Sequence, residues 1–232
     1  MGSREFINKI DRYCLWMNST DAMKGFKIKP IRERIEAVRD YRLSSKREAT
    51  KKLAEIPYSF GEVRQPNGDY LLLPRVSSER RKYIPIGFLP GDVVASDAAL
   101  IIPEATIYEF GVLTSNVHNG WMRAVTGRLK SDYRYSKDIV YNNFPWPNPN
   151  DKQKQKIEET ANQILEARKL YPESSYADLY NELTMPPELR KAHQENDKAV
   201  MEAYGFDWRN MTESECVAEL MKLYQDAIID NK

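Results

Sequence analysis

The sequence predicts an α+β fold in which a mixed domain of helices and short strands, residues 1–147, precedes a small all-helical domain, residues 148–232. Short β-rich runs separated by Pro, Gly and Asp occur between about 69 and 103. Apolar residues recur at helical spacing on both sides of these runs. The segment FPWPNPND, residues 144–151, holds three prolines, which interrupt helix formation and place the domain boundary there.

The mixed domain is predicted to have helices before and after its strands. IRERIEAVRDYRL, residues 31–43, carries apolar side chains on one helical face, and SKRE, residues 45–48, has the pattern of a capping box that opens another helix. Strands are predicted in DYLLLPRV, KYIPIGFL, DVVAS and ALIIP. After them, apolar residues lie four apart from Leu113 to Val125, which predicts one continuous helix from about 106 to Gly127.

The second domain is predicted to consist of helices alone. Apolar residues recur at helical spacing over 151–170. In PPELRKAHQENDKAVMEAYG, Pro187 marks the start of a helix and Gly205 marks its end. TESE, residues 212–215, is a capping box before a last helix that should run from about 213 to 228.

Composition and charge describe the kind of protein. Hydrophobic residues make up 41% of the chain and aromatic residues 11%, which indicates a globular protein. Two cysteines cannot form a disulfide framework, and the longest apolar runs are too short to span a bilayer, so we expect a cytoplasmic protein with no membrane contact. The net charge is +1, yet residues 1–147 hold 24 Lys and Arg against 17 Asp and Glu, and residues 148–232 hold 11 against 17. This asymmetry predicts that the first domain faces a polyanion.

The sequence shows no set of residues that would support catalysis. It has no Gly-rich phosphate loop, no nucleophile-elbow motif and no Cys or His spacing typical of a metal site. Its two histidines, His118 and His193, lie on separate predicted helices, where we expect them to be packed or at the surface. We therefore expect no catalytic residue, no metal and no cofactor in this chain. Met1–Ser3 could be a cloning remnant, and the chain could be a piece of a longer protein.

The decapeptide GRLKSDYRYS, residues 127–136, places one carboxylate, Asp132, among cations and tyrosines. Basic residues mixed with aromatic ones are typical of nucleic-acid surfaces, where phosphate would repel an acid. Two interpretations remain open. Lys130 and Asp132 can grip the two bases of one G·C pair, because guanine offers acceptors and cytosine offers a donor in the major groove, or they can form a local ion pair. In an extended segment, Tyr133 and Tyr135 would face inward.

Several long motifs resemble the C-terminal part of MmeI-like (type IIL) restriction-modification enzymes. The motifs are YLLLPRVSSERRKYIPIGFL, NGWMRAVTGRLKSDYRYS, IVYNNFPWP and TMPPELRKAHQENDKAVMEAYG, and they occur in the family's order. The resemblance implies a target recognition domain over 1–147 and a C-terminal helical domain over 148–232. It also implies a longer parent chain, an adenine-specific DNA methyltransferase with or without a nuclease. S-adenosylmethionine, and Mg²⁺ in a nuclease-bearing parent, would be bound upstream of Arg4.

The resemblance also assigns roles to single residues. The positions of Lys130 and Asp132 match a pair that reads the base pair beyond the methylated adenine. In the family, Lys and Asp at these two positions accompany recognition of G. Arg75 and Asp97 match a second G·C-reading pair, while Ala98 and Arg134 match positions that tolerate either purine. The implied site has the form x-x-G-R-A-G, with A as the methyl acceptor.

Other polar residues are candidates for binding the DNA backbone. They are Ser77, Ser78, Arg80, Arg81, Lys82, Arg123 and Arg128. Lys46, Arg47, Lys51 and Lys52 form a basic helix face that either touches DNA or is simply solvated. The expected partners are double-stranded DNA and the upstream methyltransferase domain of the same chain.

Two other functions remain open at this point. In an RNA-binding module, Tyr133 and Tyr135 would stack on bases, although no RNP-like or KH-like motif is present. In a structural or protein-interaction domain, the acidic helical second half would be the contact surface.

Overall fold

The structure is a computed structural model that describes residues 1–230. The chain forms two compact units. One unit comprises Met1–Asp11 together with the chain from Pro66 onward, and the other comprises Arg12–Gln65. The α+β fold class predicted from the sequence is confirmed, because helices and short antiparallel strands both contribute.

The unit Arg12–Gln65 is helical. It contains α2 (Ser19–Gly25), α3 (Lys29–Leu43), α4 (Glu48–Lys52) and a 3₁₀ turn (Leu53–Glu55), and it follows α1 (Ser3–Asn8) of the other unit. The predicted helix over 31–43 is confirmed as α3. The capping box predicted at 45–48 is wrong, because Ser45 Oγ accepts a hydrogen bond from the Arg47 backbone N–H at 3.2 Å and α4 begins only at Glu48.

The strands form two small antiparallel sheets in the larger unit. The first sheet contains β1 (Tyr70–Pro74), β3 (Gly87–Leu89) and β4 (Ala99–Pro103), in the order β3-β1-β4. The second contains β2 (Val76–Ser77), β5 (Gly127–Leu129) and β6 (Asp132–Arg134), in the order β2-β6-β5. Strand β1 is buried along its whole length, which fixes the first sheet in the interior of the unit.

Two of the four predicted strand runs are confirmed and two need correction. DYLLLPRV forms β1 and β2, and ALIIP forms β4. Only the last three residues of KYIPIGFL form a strand, because the Ile84 N–H donates instead to the side chain of Asn119 at 3.0 Å and Pro85 has no N–H to donate. DVVAS forms no strand, since its Ser96 N–H donates to the Met1 carbonyl at 2.8 Å.

The single helix predicted after residue 106 is two helices, α5 (Ile107–Thr114) and α6 (Asn116–Val125). Ser115 separates them with an extended backbone, at φ −69° and ψ 158°. Its Oγ donates to the Val112 carbonyl at 2.7 Å and accepts from the His118 N–H at 3.3 Å. One serine therefore ends a helix and caps the next, a local polar competition that apolar spacing does not reveal.

The predicted helices of the C-terminal region are confirmed. They are α7 (Asp151–Lys169), α9 (Pro187–Tyr204) and α10 (Glu213–Asp230). The structure adds a short helix that the sequence did not predict, α8 (Tyr176–Leu179), and a π-helical turn (Lys137–Tyr141) precedes all four. Gly205 ends α9 in the left-handed region, at φ 74°. The capping box before α10 is present, because Thr212 N–H donates to Glu215 at 2.7 Å and Glu215 N–H donates to Thr212 at 3.3 Å.

One apolar core extends across the proline-rich segment at 144–151. Phe110 and Trp121 before that segment belong to the same buried cluster as Ile157 and Leu220 after it. Gly111 permits the closest approach, since a Cβ there would lie 2.7 Å from Ile157 Cγ2. The predicted domain boundary is therefore crossed by the core of one compact unit.

Both histidines are buried. His118 Nδ1 lies 2.9 Å from the Leu113 carbonyl, and His193 Nε2 lies 2.9 Å from the Tyr180 hydroxyl. Within residues 1–230, no group of three or more His, Cys, Asp and Glu side chains converges as a metal site. No helix in the same range is long and apolar enough to cross a bilayer.

Candidate nucleic-acid interface

The two sheets meet at Arg75, the residue between β1 and β2. Its backbone N–H lies 3.4 Å from the Ala98 carbonyl and 3.1 Å from Ser3 Oγ, on the side of the first sheet. Its carbonyl accepts from the Tyr135 N–H at 2.9 Å, on the side of the second sheet. The backbone of Arg75 therefore holds the segment of Asp97 and Ala98 next to the end of β6.

The second sheet ends in a tight hairpin that presents Lys130. Strands β5 and β6 pair with Leu129 opposite Asp132, so that Lys130 and Ser131 form the turn. Lys130 adopts the left-handed backbone conformation, at φ 57°, and is exposed at the tip. Arg134 lies opposite Val76, one residue beyond Arg75. The hairpin thus places Lys130 and Arg134 at opposite ends of β6.

Side chains alternate along β6 as the sequence predicted. Tyr133 and Tyr135 are only 9% and 3% exposed, whereas Asp132 is half-buried and Arg134 is exposed. The Tyr135 hydroxyl lies 3.0 Å from His118 Nε2. Because the Leu113 carbonyl can only accept, His118 Nδ1 carries the proton and Nε2 accepts from Tyr135. Burial lowers the pKa of His118 to about 4, so the ring is neutral and Tyr135 is fixed in the core.

The candidate base-reading side chains are unpaired. The guanidinium groups of Arg75 and Arg134 and the ammonium group of Lys130 have no hydrogen bond or ion pair with any residue that the structure describes. The same holds for the carboxylates of Asp97 and Asp132. The local Lys130–Asp132 ion pair considered above is therefore not formed. Burial lowers the pKa of Arg81, and the negative charge of Asp132 partly offsets this effect, so Arg81 is an electrostatic neighbour of Asp132.

Most of the candidate backbone-binding residues are accessible. Arg80 and Lys82 are exposed, and Ser78 and Arg81 are half-buried. Arg128 is also accessible, but it already stacks on the Tyr133 ring at 4.3 Å and donates to the Ser131 carbonyl at 2.7 Å. Arg128 therefore supports the hairpin in addition to any ligand contact.

Two residues of that set are placed elsewhere. Ser77 is 3% exposed, because it lies opposite Tyr133 on the buried side of β2, so its hydroxyl cannot reach a phosphate. The Arg123 guanidinium donates to Glu213 at 2.7 and 2.9 Å, to Asn116 at 2.8 Å and to the Lys82 carbonyl at 2.9 Å. Arg123 therefore joins α6 to α10 and is not free to bind DNA in this structure.

Ser3 contacts the candidate site, although nothing in the sequence pattern indicated a role for it. Its hydroxyl donates to the Ala98 carbonyl and accepts from the Arg75 N–H, so it joins two segments that carry candidate base-reading residues. Ser3, which together with Met1 and Gly2 could be a cloning remnant, therefore contacts the site. No periodicity or charge pattern marks such a bridging hydroxyl.

Two small sheets joined at one residue, with unpaired polar side chains on the segments that they join, define a recognition module that is continuous with a helical C-terminal region. The chain belongs to the MmeI family, as the resemblance predicted. The family description "MmeI, target recognition domain" matches residues 1–148, and "MmeI, C-terminal domain" matches residues 149–230.

Two relatives show how the chain compares with longer proteins. It is 40% identical over 226 residues to DNA methyltransferase A of Bacillus subtilis (strain 168), a match that covers 97% of this chain and 26% of that protein. It is also similar to the solved structure of the type IIL restriction-modification enzyme MmeI in complex with DNA, with a TM-score of 0.93 and 47% identity. That match covers 97% of this chain and 30% of the solved chain. The chain thus spans about a quarter to a third of the length of these relatives.

Proposed function

We propose that this chain is the sequence-specific duplex-DNA recognition module of an adenine-specific DNA methyltransferase or a bifunctional restriction-modification enzyme. The observation that carries the proposal has two parts: the candidate base-reading side chains have no partner among the described residues, and the Arg75 backbone joins the segment of Asp97 to the end of β6 that carries Arg134. Unpaired donors and acceptors next to each other are what base edges require, whereas phosphate contacts require donors alone. Membership of the MmeI family supports the same function.

Lys130 and Asp132 would read one G·C pair in the major groove. Lys130 donates to guanine O6 and N7, and Asp132 accepts from cytosine N4. Asp132 then stands among cations because it faces a base donor and avoids the phosphates. The lack of a Lys130–Asp132 ion pair supports this assignment, since both groups remain available to a ligand.

Arg75 and Asp97 would read a second G·C pair by the same division of roles, with Arg75 bidentate to guanine. Arg134, with the small Ala98 nearby across Arg75, would accept either purine, because N7 is an acceptor on both adenine and guanine. The hydrogen bonds of the Arg75 backbone support a shared surface for these four residues. The proposed site has the form x-x-G-R-A-G.

The RNA-binding alternative is disfavoured by burial. Tyr133 and Tyr135 were its stacking candidates, and both rings lie in the core, where they cannot stack on splayed bases. A protein-interaction role of the acidic helical region is compatible with DNA recognition and does not account for the unpaired side chains around Arg75.

The proposal places catalysis in another part of a longer protein. S-adenosylmethionine, and Mg²⁺ in a nuclease-bearing parent, would be held by residues outside this chain, and adjacent methyltransferase residues would be a partner of this module. This chain's own residues would position the duplex and read its bases. A cytoplasmic location follows from the proposed substrate.

Duplex-DNA binding by the chain itself tests the proposal. We expect salt-dependent binding to duplex DNA, because phosphate contacts release counterions, and only modest sequence preference without the domain that would grip the other side of the DNA. Fluorescence anisotropy should therefore give steeply weaker binding between about 50 and 200 mM salt. Competition with double-stranded RNA of the same length is the control. Binding that does not change with salt, or a preference for RNA, would contradict the proposal.

A further inference from the structure

The basic excess of residues 1–147 is concentrated in one structural unit. The unit Arg12–Gln65 holds 13 Lys and Arg against 7 Asp and Glu. The other residues up to 147 hold 11 against 10. The part of the chain that carries the base-reading candidates is therefore nearly neutral, although sequence-independent affinity for DNA comes mainly from cations that neutralise phosphates.

Within this unit, Arg42 fixes the geometry of the turn after α3. Its guanidinium donates to the carbonyls of Leu53, Ile56 and Ser59, at 2.7, 3.0 and 2.7 Å. These three hydrogen bonds tie the C-terminal end of α3 to the segment that follows α4. The intervening residues are consequently held in one compact corner.

The cations on this corner are Lys46, Arg47, Lys51 and Lys52, and we refer to them as the basic corner. Lys46, Arg47 and Lys52 are exposed, and their side chains have no ion pair or hydrogen bond with a described residue. Lys51 pairs with Glu48 at 2.7 Å, and Glu48 is the one acid within residues 46–52. Three positive charges therefore remain uncompensated within seven residues.

We propose that the basic corner binds the phosphate backbone of the duplex whose bases the Arg75 surface reads, and that it does so without sequence preference. This inference rests on the proposed function. Lysine suits the role, because its flexible point charge follows phosphates without fixing a base edge. Within residues 46–52 the single carboxylate, Glu48, is already paired with Lys51, so this stretch offers donors to phosphates and no free acceptor to a base.

The experiment uses the whole chain with three substitutions, Lys46→Gln, Arg47→Gln and Lys52→Gln. The matched control removes the same charge from exposed, unpaired lysines of the C-terminal region, with Lys152→Gln, Lys156→Gln and Lys191→Gln. Binding is measured by anisotropy against salt, with one duplex of the proposed site and one scrambled duplex. Thermal melting followed by circular dichroism verifies that each variant folds.

We expect the slope of log affinity against log salt to fall in magnitude by about 0.9 for each phosphate that the variant no longer neutralises, hence by roughly 2 to 3 in the triple variant. Both duplexes should bind more weakly by the same factor, and the control should keep the wild-type slope. An unchanged slope in a folded triple variant would overturn the proposal, as would weaker binding to the specific duplex alone.

A membrane role is a separate outcome, since Leu43 and Ile56 are exposed near the same corner. Vesicles that contain anionic lipid serve as the competing surface, because a negatively charged membrane also attracts clustered lysines and arginines. If the triple variant loses vesicle binding while its DNA slope is unchanged, the corner binds lipid and the proposal is wrong. If the wild-type chain binds no duplex, the proposed function fails as well. If the wild type binds duplex DNA and the triple variant has the same salt slope, only the role of the basic corner is rejected.

Discussion

Asp132 lies on a strand in which polar and aromatic side chains alternate, and this alternation decides which of them can meet a ligand. Tyr133 and Tyr135 are buried, so Asp132 and Arg134 occupy the opposite face. The period of two in an extended strand predicted this division from the sequence alone. The role of Arg123 could not be predicted in the same way, because its partner Glu213 lies 90 residues further along the chain.

The buried histidines make the stability of the protein pH-dependent. The folded-state pKa of His118 lies at about 4, below the unfolded value of 6.5, so the unfolded chain binds a proton first as the pH falls. The stability contributed by neutral His118 is therefore full above pH 6.5 and is lost as the pH falls toward 4. Burial lowers the pKa of His193 in the same direction.

We expect His118→Gln to weaken this dependence. Glutamine can accept from Tyr135 and donate to the Leu113 carbonyl without titrating. Between pH 7.5 and 5, the titration of His118 should lower the free energy of unfolding of the wild type by about 2 kcal/mol. The variant should not show this loss. Urea unfolding at both pH values measures it. Burial raises the pKa of Asp197 to about 6, which acts in the opposite direction but equally in both proteins. If unfolding free energy changes with pH by the same amount in the variant and the wild type, the neutral, buried state assigned to His118 is wrong.

At the scale of helices and strands, capping and stop motifs predicted helix ends correctly where no other hydrogen-bond partner was available to their side chains. The capping box before α10 and the Gly205 stop of α9 formed as predicted. The continuous helix predicted after residue 106 failed, because the Ser115 hydroxyl satisfies backbone groups on both sides of a break. The SKRE box failed because Ser45 bonds to a nearer N–H. Apolar spacing indicates which face of a helix is buried. It does not indicate which backbone group a serine hydroxyl will hydrogen-bond.

The packing of α5 against α7 depends on the absence of a side chain at Gly111. A Cβ there would lie 2.7 Å from Ile157 and 3.0 Å from the Ala161 methyl group. We expect Gly111→Val to destabilise the protein by about 1 to 3 kcal/mol through overpacking. Urea unfolding measures this effect, with Gly68→Ala as the control, since no atom lies within 4 Å of a Cβ at that position. Equal stability of the two variants would show that the helices do not pack as described.

At the scale of the whole molecule, the proline-rich segment at 144–151 separates two family descriptions without separating two cores. The matches meet between residues 148 and 149, and the charge changes sign there. Yet Trp121 packs against Tyr224 with ring centroids 5.8 Å apart, and Arg168 donates to the Ile86 carbonyl at 2.8 Å. The prolines showed where this segment lies in the sequence. The contacts across it join residues far apart along the chain, so no local sequence pattern could predict them. The division at 147/148 remains a prediction about domains.

The recognition surface has the same dependence on long-range packing. The residues proposed for it come from 75, 97–98 and 130–134, and the backbone of Arg75 bonds to Ala98 and to Tyr135 at the end of β6. The resemblance supplied these positions, and the residue types supplied their chemistry. Neither could supply Ser3, whose role depends on the meeting of three distant segments.

The most direct test of the recognition surface exchanges donor and acceptor at Lys130 and Asp132. In the longer methyltransferase that we propose carries this chain, Lys130→Glu combined with Asp132→Arg places an acceptor opposite cytosine N4 and a donor opposite guanine. Each single change should be worse than both together, because it leaves one base edge unmatched at about 1–3 kcal/mol. Lys82→Ala is the control, and it should weaken all sequences about equally, as a phosphate contact would.

The measurement is sequencing of methylated sites in DNA from cells that express each variant. We expect the double variant to modify sites whose last base pair is C·G in place of G·C, and the Lys82→Ala variant to keep the original site. If the double variant still modifies only sites that end in G, Lys130 and Asp132 do not read that base pair, and the central claim about this surface is wrong.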